Sequence, residues 1–297
     1  VTATKTGEVM NEMAIVSARA FTVEETDRYA GSRGDPARMA SNFAGVQGAD
    51  DSRNDIVVRG NSPSGVLWRI EGVDLSNPNH FSVPGTGGGP VAIVNNKTLA
   101  NSDFFTAAFP AEFGNSTAAV FDLKLRNGNQ DHWHGSAQLG FLGTEVLVEG
   151  PLNRDKRSSL LVNYRYSTAS IFSAVGIDIG TSAVPKYQDG SFKLFTPTKG
   201  GGSLSLWGIG GNSSVEILIS NQEAPERNIY GDNDRDQYFR TGTGMVGLTH
   251  TQPINSRSYI KTTLAVSRDR QNSDHDYVTR DLLIIGEDTS YTNVNTS

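Results

Sequence analysis

The chain has 297 residues, above the usual size of one domain, so two units are expected. Hydrophobic residues make up 36% and charged residues 20%, a globular rather than disordered balance, and a formal net charge of -6 offers no basic footprint for nucleic acid. The lack of cysteine excludes disulfide staples and thiol catalysis, and no window approaches the run of roughly 18 apolar residues that a membrane helix requires. A β-barrel stays open, because a spanning strand needs only about 9–11 residues with alternate apolar side chains. Val1 to Thr6 has neither the basic start nor the apolar core of a signal peptide, so the sequence is expected to begin inside a longer protein.

In chain order, Phe21-Thr22-Val23-Glu24 reads as a strand, and Thr26-Asp27 as the cap of a turn or helix. Asp35-Pro36 is a helix start, with an N-cap residue followed directly by proline. Between Asp55 and Leu75 lie two short runs that each end on a charged residue and glycine. Ile56, Val57 and Val58 lead to Arg59-Gly60, while Val66, Leu67 and Ile70 lead to Glu71-Gly72-Val73-Asp74. Both read as strands of one small sheet with tight turns. Asn77-Pro78-Asn79-His80-Phe81 precedes the glycine cluster Gly85 to Gly89, which lacks the Gly-Lys-Ser/Thr of a phosphate loop and reads as a flexible loop. Ala92 to Leu99 and Asp103 to Thr106 carry apolar residues suited to burial. In Ala119 to Arg126, residues Phe121, Leu123 and Leu125 face one way and Val120, Asp122, Lys124 and Arg126 the other, a half-buried strand closed by the turn Asn127-Gly128-Asn129.

From about Asp131 the alternation changes character. Ala137, Leu139 and Phe141 oppose Ser136, Gln138 and Gly140. Leu160, Val162, Tyr164 and Tyr166 oppose Leu161, Asn163, Arg165 and Ser167, and Ile260, Leu264 and Val266 oppose Lys261, Thr263 and Ser267. Such segments suit one face to lipid and the other to a polar lumen, but periodicity alone equally allows a soluble β-sandwich.

The chemistry-bearing clusters are weak. His132-Trp133-His134 sets two imidazoles on one strand face without further ligands, and no metal is assigned. Asp232, Asp234 and Asp236 open like a calcium loop, but Gln237 replaces the required glycine and Thr243 the closing glutamate. No nucleophile elbow or H-E-x-x-H occurs, so enzyme is the least supported class and no cofactor is implied.

Several separated phrases break the tie between barrel and sandwich. They are Val1-Thr2-Ala3-Thr4-Lys5, Asn42 to Gln47, Ile56 to Gly60, Glu71 to Asp74, Asn77 to His80, Pro110-Ala111-Glu112-Phe113-Gly114, Val148-Glu149-Gly150-Pro151-Leu152, Pro185 to Asp189, and Thr249-His250. In this order they resemble TonB-dependent outer-membrane receptors, in particular those of the Bacteroidota. The resemblance implies an N-terminal segment over 1–20 following the TonB box, an α+β plug domain over 21–130, and over 131–297 the first antiparallel strands of a transmembrane β-barrel. About six to eight strands are expected after Asn127, against about 22 for a plugged transporter, so the barrel is incomplete in this chain.

The resemblance further implies a receptor in the outer membrane of a Gram-negative bacterium that imports a nutrient, peptide, glycan or metal chelate, with TonB as periplasmic partner and outer-membrane lipid around it. It leaves room for a surface lipoprotein partner. Val1, Thr2, Ala3 and Thr4 would belong to the TonB-coupling segment. Asn77, Asn79, His80 and Phe81 would be ligand-facing residues at the plug apex, and Arg59 and Arg126 would form ion pairs between plug and wall. The alternatives are a receptor that senses ligand without transport and a soluble β-sandwich adhesin.

Overall fold

The structure, a computed structural model, describes residues 18–21, 32, 34–49, 52–82, 88–140, 143–153, 155, 157–168, 185–221, 234–285 and 288–296. The TonB-coupling candidates Val1 to Thr4, most of the Phe21 to Asp27 stretch, and the centre of the glycine cluster lie outside these residues.

The first unit contains β1 (Ala18–Phe21), α1 (Pro36–Ala40), β2 (Val46–Gly48), β3 (Ile56–Val58), β4 (Val66–Ile70), β5 (Val73–Asp74), β6 (Asn79–His80), β7 (Val91–Ala92), β8 (Ser102–Phe105) and β9 (Ala119–Leu123). Helix α1 starts where expected. The Asp35 carboxylate accepts from the Ala37 amide at 2.8 Å, and Pro36 sits where its missing N–H costs nothing. Five strands form a mixed sheet in the order β1-β8-β9-β4-β5, in which β4 runs parallel to β9.

The two runs of Asp55 to Leu75 do not share a sheet. Among the described residues β3 pairs with β2 alone as a strand, whereas β4 joins β9 and β5. Their separation follows from the backbone between them: Arg59 and Gly60 both take positive φ, 51° and 81°, and turn the chain out of β3 before a 3₁₀ turn at Pro63–Gly65 re-aims it. Gly65 is held to glycine by packing, since a Cβ there would lie 2.2 Å from Thr117 Oγ1. The charged-glycine pair recurs as Glu71 and Gly72, at φ 53° and 88°, forming the corner between β4 and β5.

The sheet's core is an aromatic stack. Trp68 lies flat on Phe121 with ring centroids 4.1 Å apart, Phe121 meets Phe104 at 4.4 Å, and Phe104 meets Phe43 at 6.0 Å. Strand β9, expected to be half-buried, is buried on both faces. Phe121 and Leu123 enter the main core while Val120 packs with Phe105 and Phe113 on the other side, because β9 is the middle strand and both its faces are covered.

Among the described residues the second unit is a single antiparallel meander of eight strands paired strictly in chain order. They are β10 (His134–Leu139), β11 (Thr144–Asn153), β12 (Ser158–Tyr166), β13 (Lys186–Pro197), β14 (Ser203–Ile217), β15 (Arg235–Asn255), β16 (Ser258–Ile285) and β17 (Asp288–Thr296). The alternation read from sequence becomes two faces. Val146, Val148, Val162, Tyr164, Leu206, Val246, Leu248, Leu264 and Val266 are exposed on one. Leu161, Asn163, Asp189, Lys193, Trp207 and Met245 are buried on the other, against the N-terminal unit. The register carries the exposed side chains into ladders: Leu160, Leu194, Leu206, Leu248 and Leu264 form one row, and Val148, Val162, Phe192, Val246 and Val266 form another with Gly208 among them. A β-sandwich would cover such a face with a second sheet. Among the described residues none does so, and the buried side is instead filled by the mixed α+β unit.

Phe121 has no exposed surface and bridges Trp68 and Phe104, so Phe121→Ala is expected to cost about 3–5 kcal/mol. Tryptophan fluorescence in a urea titration reads the loss as a lower midpoint; an unchanged midpoint would contradict this account of the core.

Candidate functional site

The candidate site is the surface where the N-terminal unit meets the meander. Its wall side consists of the inward, odd-numbered residues of β11 to β16, since side chains alternate along each strand. Residues sharing a register row therefore form belts across the wall. One row runs Glu149, Leu161, Lys193, Trp207 and Gly247; another, four residues nearer the opposite strand ends, runs Glu145, Arg165, Asp189, Gly211, Thr243 and Asp269. At about 3.4 Å per residue the belts lie roughly 14 Å apart.

In the first belt the Glu71 corner is the anchor. Its carboxylate accepts from the Leu125 amide at 2.9 Å and from Lys193 Nζ at 2.8 Å, and Lys193 also donates to the Leu125 carbonyl at 2.7 Å. Glu71 and Lys193 are both buried, where an ion pair needs further hydrogen bonds to offset its desolvation, and the Leu125 amide and carbonyl each supply one. Beside it, Arg126 grips Glu149 with two guanidinium hydrogen bonds of 2.5 and 2.9 Å. The same carboxylate accepts from the Asn129 amide at 2.9 Å, and Arg126 Nε donates to the Lys97 carbonyl. Trp207, Ile209 and Met245 from the wall complete this region by joining the apolar core of the N-terminal unit.

In the second belt Asp189 is central. Arg165 donates to it through Nε and Nη2, each at 2.9 Å, and also reaches the Ala92 carbonyl of β7. His80 Nε2 lies 2.8 Å from Asp189 Oδ2, and the His80 ring faces Tyr187 at 4.8 Å. Burial holds the His80 pKa below its ordinary value despite the pull of Asp189, whose charge Arg165 already balances. The ring is then neutral, donates from Nε2, and leaves Nδ1 as a buried acceptor with no partner among the described residues. Nearby the Phe81 amide donates to Ser213 Oγ at 3.0 Å, and Asn95 Nδ2 donates to Glu145 and Asn163 at 3.0 and 3.1 Å.

The structure distributes the sequence-derived candidates unevenly. Arg126 is in the wall contact with Glu149 just described. Arg59 sits on an exposed corner of the β2–β3 hairpin, with its guanidinium 3.5 Å from Thr106 Oγ1. Asn77 to Phe81 is not the exposed loop tip expected from sequence. Asn79 and His80 are 1% exposed and pair with β7, Asn77 bonds Ser82, and Phe81 meets Tyr187 edge-on. The cause is Asn54, a residue the sequence did not single out. Its amide donates to Asp35 at 2.7 Å and to Asn79 at 2.6 Å, and its oxygen accepts from the Gly89 amide at 2.8 Å. Asn54 thereby ties the helix cap, the Asn-Pro-Asn-His phrase and the end of the glycine cluster into one knot. Gly88 and Gly89 are packing glycines there, since added Cβ atoms would meet Asp55 at 2.4 Å and the His80 carbonyl at 2.3 Å. Of the supposed calcium carboxylates, Asp234 is bonded to Arg235, and Asp236 accepts from the Ser220 amide and hydroxyl.

Sequence reading also missed Glu71, Lys193, Asp189 and Glu145 as wall contacts. The available signal was parity, because Glu145, Asp189 and Lys193 stand on the strand face opposite the apolar ladders.

Lys193→Met removes the partner of a buried carboxylate, with an expected cost of about 3–5 kcal/mol. Hydrogen exchange at the Leu125 amide is expected to accelerate by roughly 100-fold or more, and unchanged protection would contradict the anchor assignment. A second expectation follows from His80. The unfolded ring takes up its proton near the ordinary value of 6.5 and the folded ring only at lower pH, so stability present above that value is lost as pH falls through and below it. The urea midpoint is expected to drop between about pH 7.5 and about pH 5.5, and to drop less in His80→Gln; equal slopes would refute it.

No family profile matches the sequence, and no curated protein matches it. Solved structures do. The ferric-catecholate import receptor Fiu of Escherichia coli K12 aligns over 94% of this chain and 41% of its own, at 13% identity and TM-score 0.58. The hemophore receptor HasR of Serratia marcescens, solved with its hemophore and heme, aligns over 89% and 41%, at 12% identity and TM-score 0.58. The outer-membrane transporter YddB of Escherichia coli aligns over 93% and 42%, at 11% identity and TM-score 0.56. The chain spans less than half the length of these proteins, and at such identities the likeness is one of fold: a mixed N-terminal unit seated on an antiparallel meander, as in part of these outer-membrane receptors and transporters.

Proposed function

We propose that the chain is the plug and the first barrel strands of a TonB-dependent outer-membrane receptor of the Bacteroidota type, importing an extracellular nutrient or chelate with energy transmitted by TonB. In this reading residues 1–20 follow the TonB box, with Val1 to Thr4 in the coupling segment, 21–130 form the plug, and 131–297 begin the wall. The observation that carries it is the contrast between the two faces of the meander. One exposes leucine and valine ladders and Tyr164 and Tyr166, as a lipid-facing surface does, while the other holds the N-terminal unit through Glu71–Lys193, Arg126–Glu149 and His80–Asp189. A gate that opens needs contacts that water or ligand can replace, and charged pairs can be resolvated in a way that a dry apolar seam cannot.

Asn77, Asn79, His80 and Phe81 then act as a latch. Ligand arriving from outside is read by displacement of this segment from Asp189 and Ser213, rather than by a free tip. The ferric-catecholate and heme receptors that share the fold make a metal chelate the first class to try, ahead of peptides and glycans.

Uptake by a deletion strain of ferric catecholates, heme, cobalamin, glycans and peptides tests the proposal. Loss of uptake of one class, restored by the intact gene, is expected. A gene lacking the codons for Val1 to Thr4 should restore ligand binding but not uptake. Unchanged uptake of every ligand would refute import, and binding without any uptake defect would favour a sensing receptor.

A further inference from the structure

We infer that the outward face of β13 to β16 carries a site for a phosphate-bearing lipid of the surrounding leaflet, a conclusion that rests on the membrane-barrel reading above. Lys186 on β13, Arg240 on β15, and Arg268 and Arg270 on β16 are all exposed on this face. The register sets them on three successive outward rows. Lys186, Ser214, Arg240 and Asn272 form one, Gln188, Asn212, Gly242 and Arg270 the next, and Gly190, Gly210, Gly244 and Arg268 the third. With strands about 4.8 Å apart, Lys186 and Arg240 stand roughly 10 Å from each other. Among the described residues none of the four has a carboxylate partner; Arg270 donates only to Asn272 Oδ1, at 3.2 Å. Carboxylates on this face begin one row further out, with Glu216 and Asp274.

The surface between these cations is hollowed. A cavity of about 820 Å³ is lined by Tyr166, Lys186, Arg240, Arg268 and Arg270, among others. It adjoins a second, of about 390 Å³, through Gly244 and Arg268. The second is apolar, walled by Phe192, Val246 and Val266 and floored by Gly190, Gly208, Gly210 and Gly244, whose missing side chains make the trough. A cationic basin opening onto an apolar trough matches an amphiphile: phosphate oxygens against guanidinium groups, acyl chain over glycine.

Sidedness follows from the connections. At one end β11–β12, β13–β14 and β15–β16 join through the short connections 154–157, 198–202 and 256–257. At the basin's end the connections 140–143 and 286–287 are also short, but the two long ones of the meander, 167–185 between β12 and β13 and 218–234 between β14 and β15, join the strands there. Barrels of this kind keep short turns on the periplasmic side and long loops outside, which puts the basin at the outer leaflet. The occupant is therefore a phosphorylated glycolipid of that leaflet and not a soluble anion.

The test uses the complete protein purified in detergent, with native mass spectrometry counting retained lipid on titration with bisphosphorylated lipid A, its dephosphorylated form, or inorganic phosphate. Wild type is expected to retain the bisphosphorylated lipid at least tenfold better than the dephosphorylated one. The triple variant Arg240→Gln, Arg268→Gln, Arg270→Gln is expected to lose that preference. Gly244→Leu fills the trough from a position where an added Cβ meets nothing within 4 Å, so it should fold and still lose the lipid. Retention equal to wild type in both variants, or competition by inorganic phosphate at the lipid's own concentration, would overturn the site. Heat-modifiable migration on gels, run on each variant, separates the two levels of the argument: a protein lacking it refutes the barrel and the site together, whereas a barrel that migrates normally and ignores the phosphates refutes the site alone.

Discussion

The arrangement depends on a buried lysine finding its carboxylate across two chain segments that fold by different rules. Lys193 belongs to a strand of the meander and Glu71 to a left-handed corner of the mixed sheet, and neither could stay charged and buried without the other. The corner exists because Glu71 and Gly72 both take positive φ, so the backbone there must turn. The turned carboxylate can then reach both the Leu125 amide and the incoming ammonium. Leu125 is thereby held from two directions at the point where the chain leaves the first unit for the second. What passes as a local turn motif is the hinge-pin of the interface.

The second belt works by a different balance. Arg165 neutralises Asp189 and leaves His80 to serve as a neutral donor, so that contact is weaker per bond and more easily exchanged. The row between the two belts is mixed: Leu147, Ile209 and Met245 share it with Asn163, Ser191 and Ser267. On the proposed reading the firm belt lies toward the periplasm and the exchangeable one toward the ligand, a gradient suited to a gate that must sense from one side and be pulled from the other.

Much of the fold was legible in the residues. The Asp35-Pro36 helix start, the strands at Ile56 and Val66, and the alternation of Leu160 to Ser167 all appear where local chemistry put them, because capping, β-branching and parity act over a few residues. What was not legible is what depends on distant partners. The two halves of Asp55 to Leu75 went to different sheets because β4 found β9, more than fifty residues further on. Asn77 to Phe81 looked like an exposed tip because its composition is that of a loop, and only the Asn54 knot and the wall at Asp189 bury it. Arg59 and Arg126 were indistinguishable as sequence, and geometry alone set Arg126 against Glu149 of the neighbouring sheet and Arg59 near Thr106.

The shared parity of the wall residues has one more consequence. Asp189 and Lys193 lie on the same face of β13, four positions apart, and a slip of one residue in that strand's pairing would turn both toward the outward face at once. Such a slip would break the Glu71–Lys193 and His80–Asp189 contacts together, one from each belt, while leaving Arg126–Glu149 on β11 in place. The pairing of β13 that presents both groups inward is therefore the one in which the N-terminal unit makes both contacts.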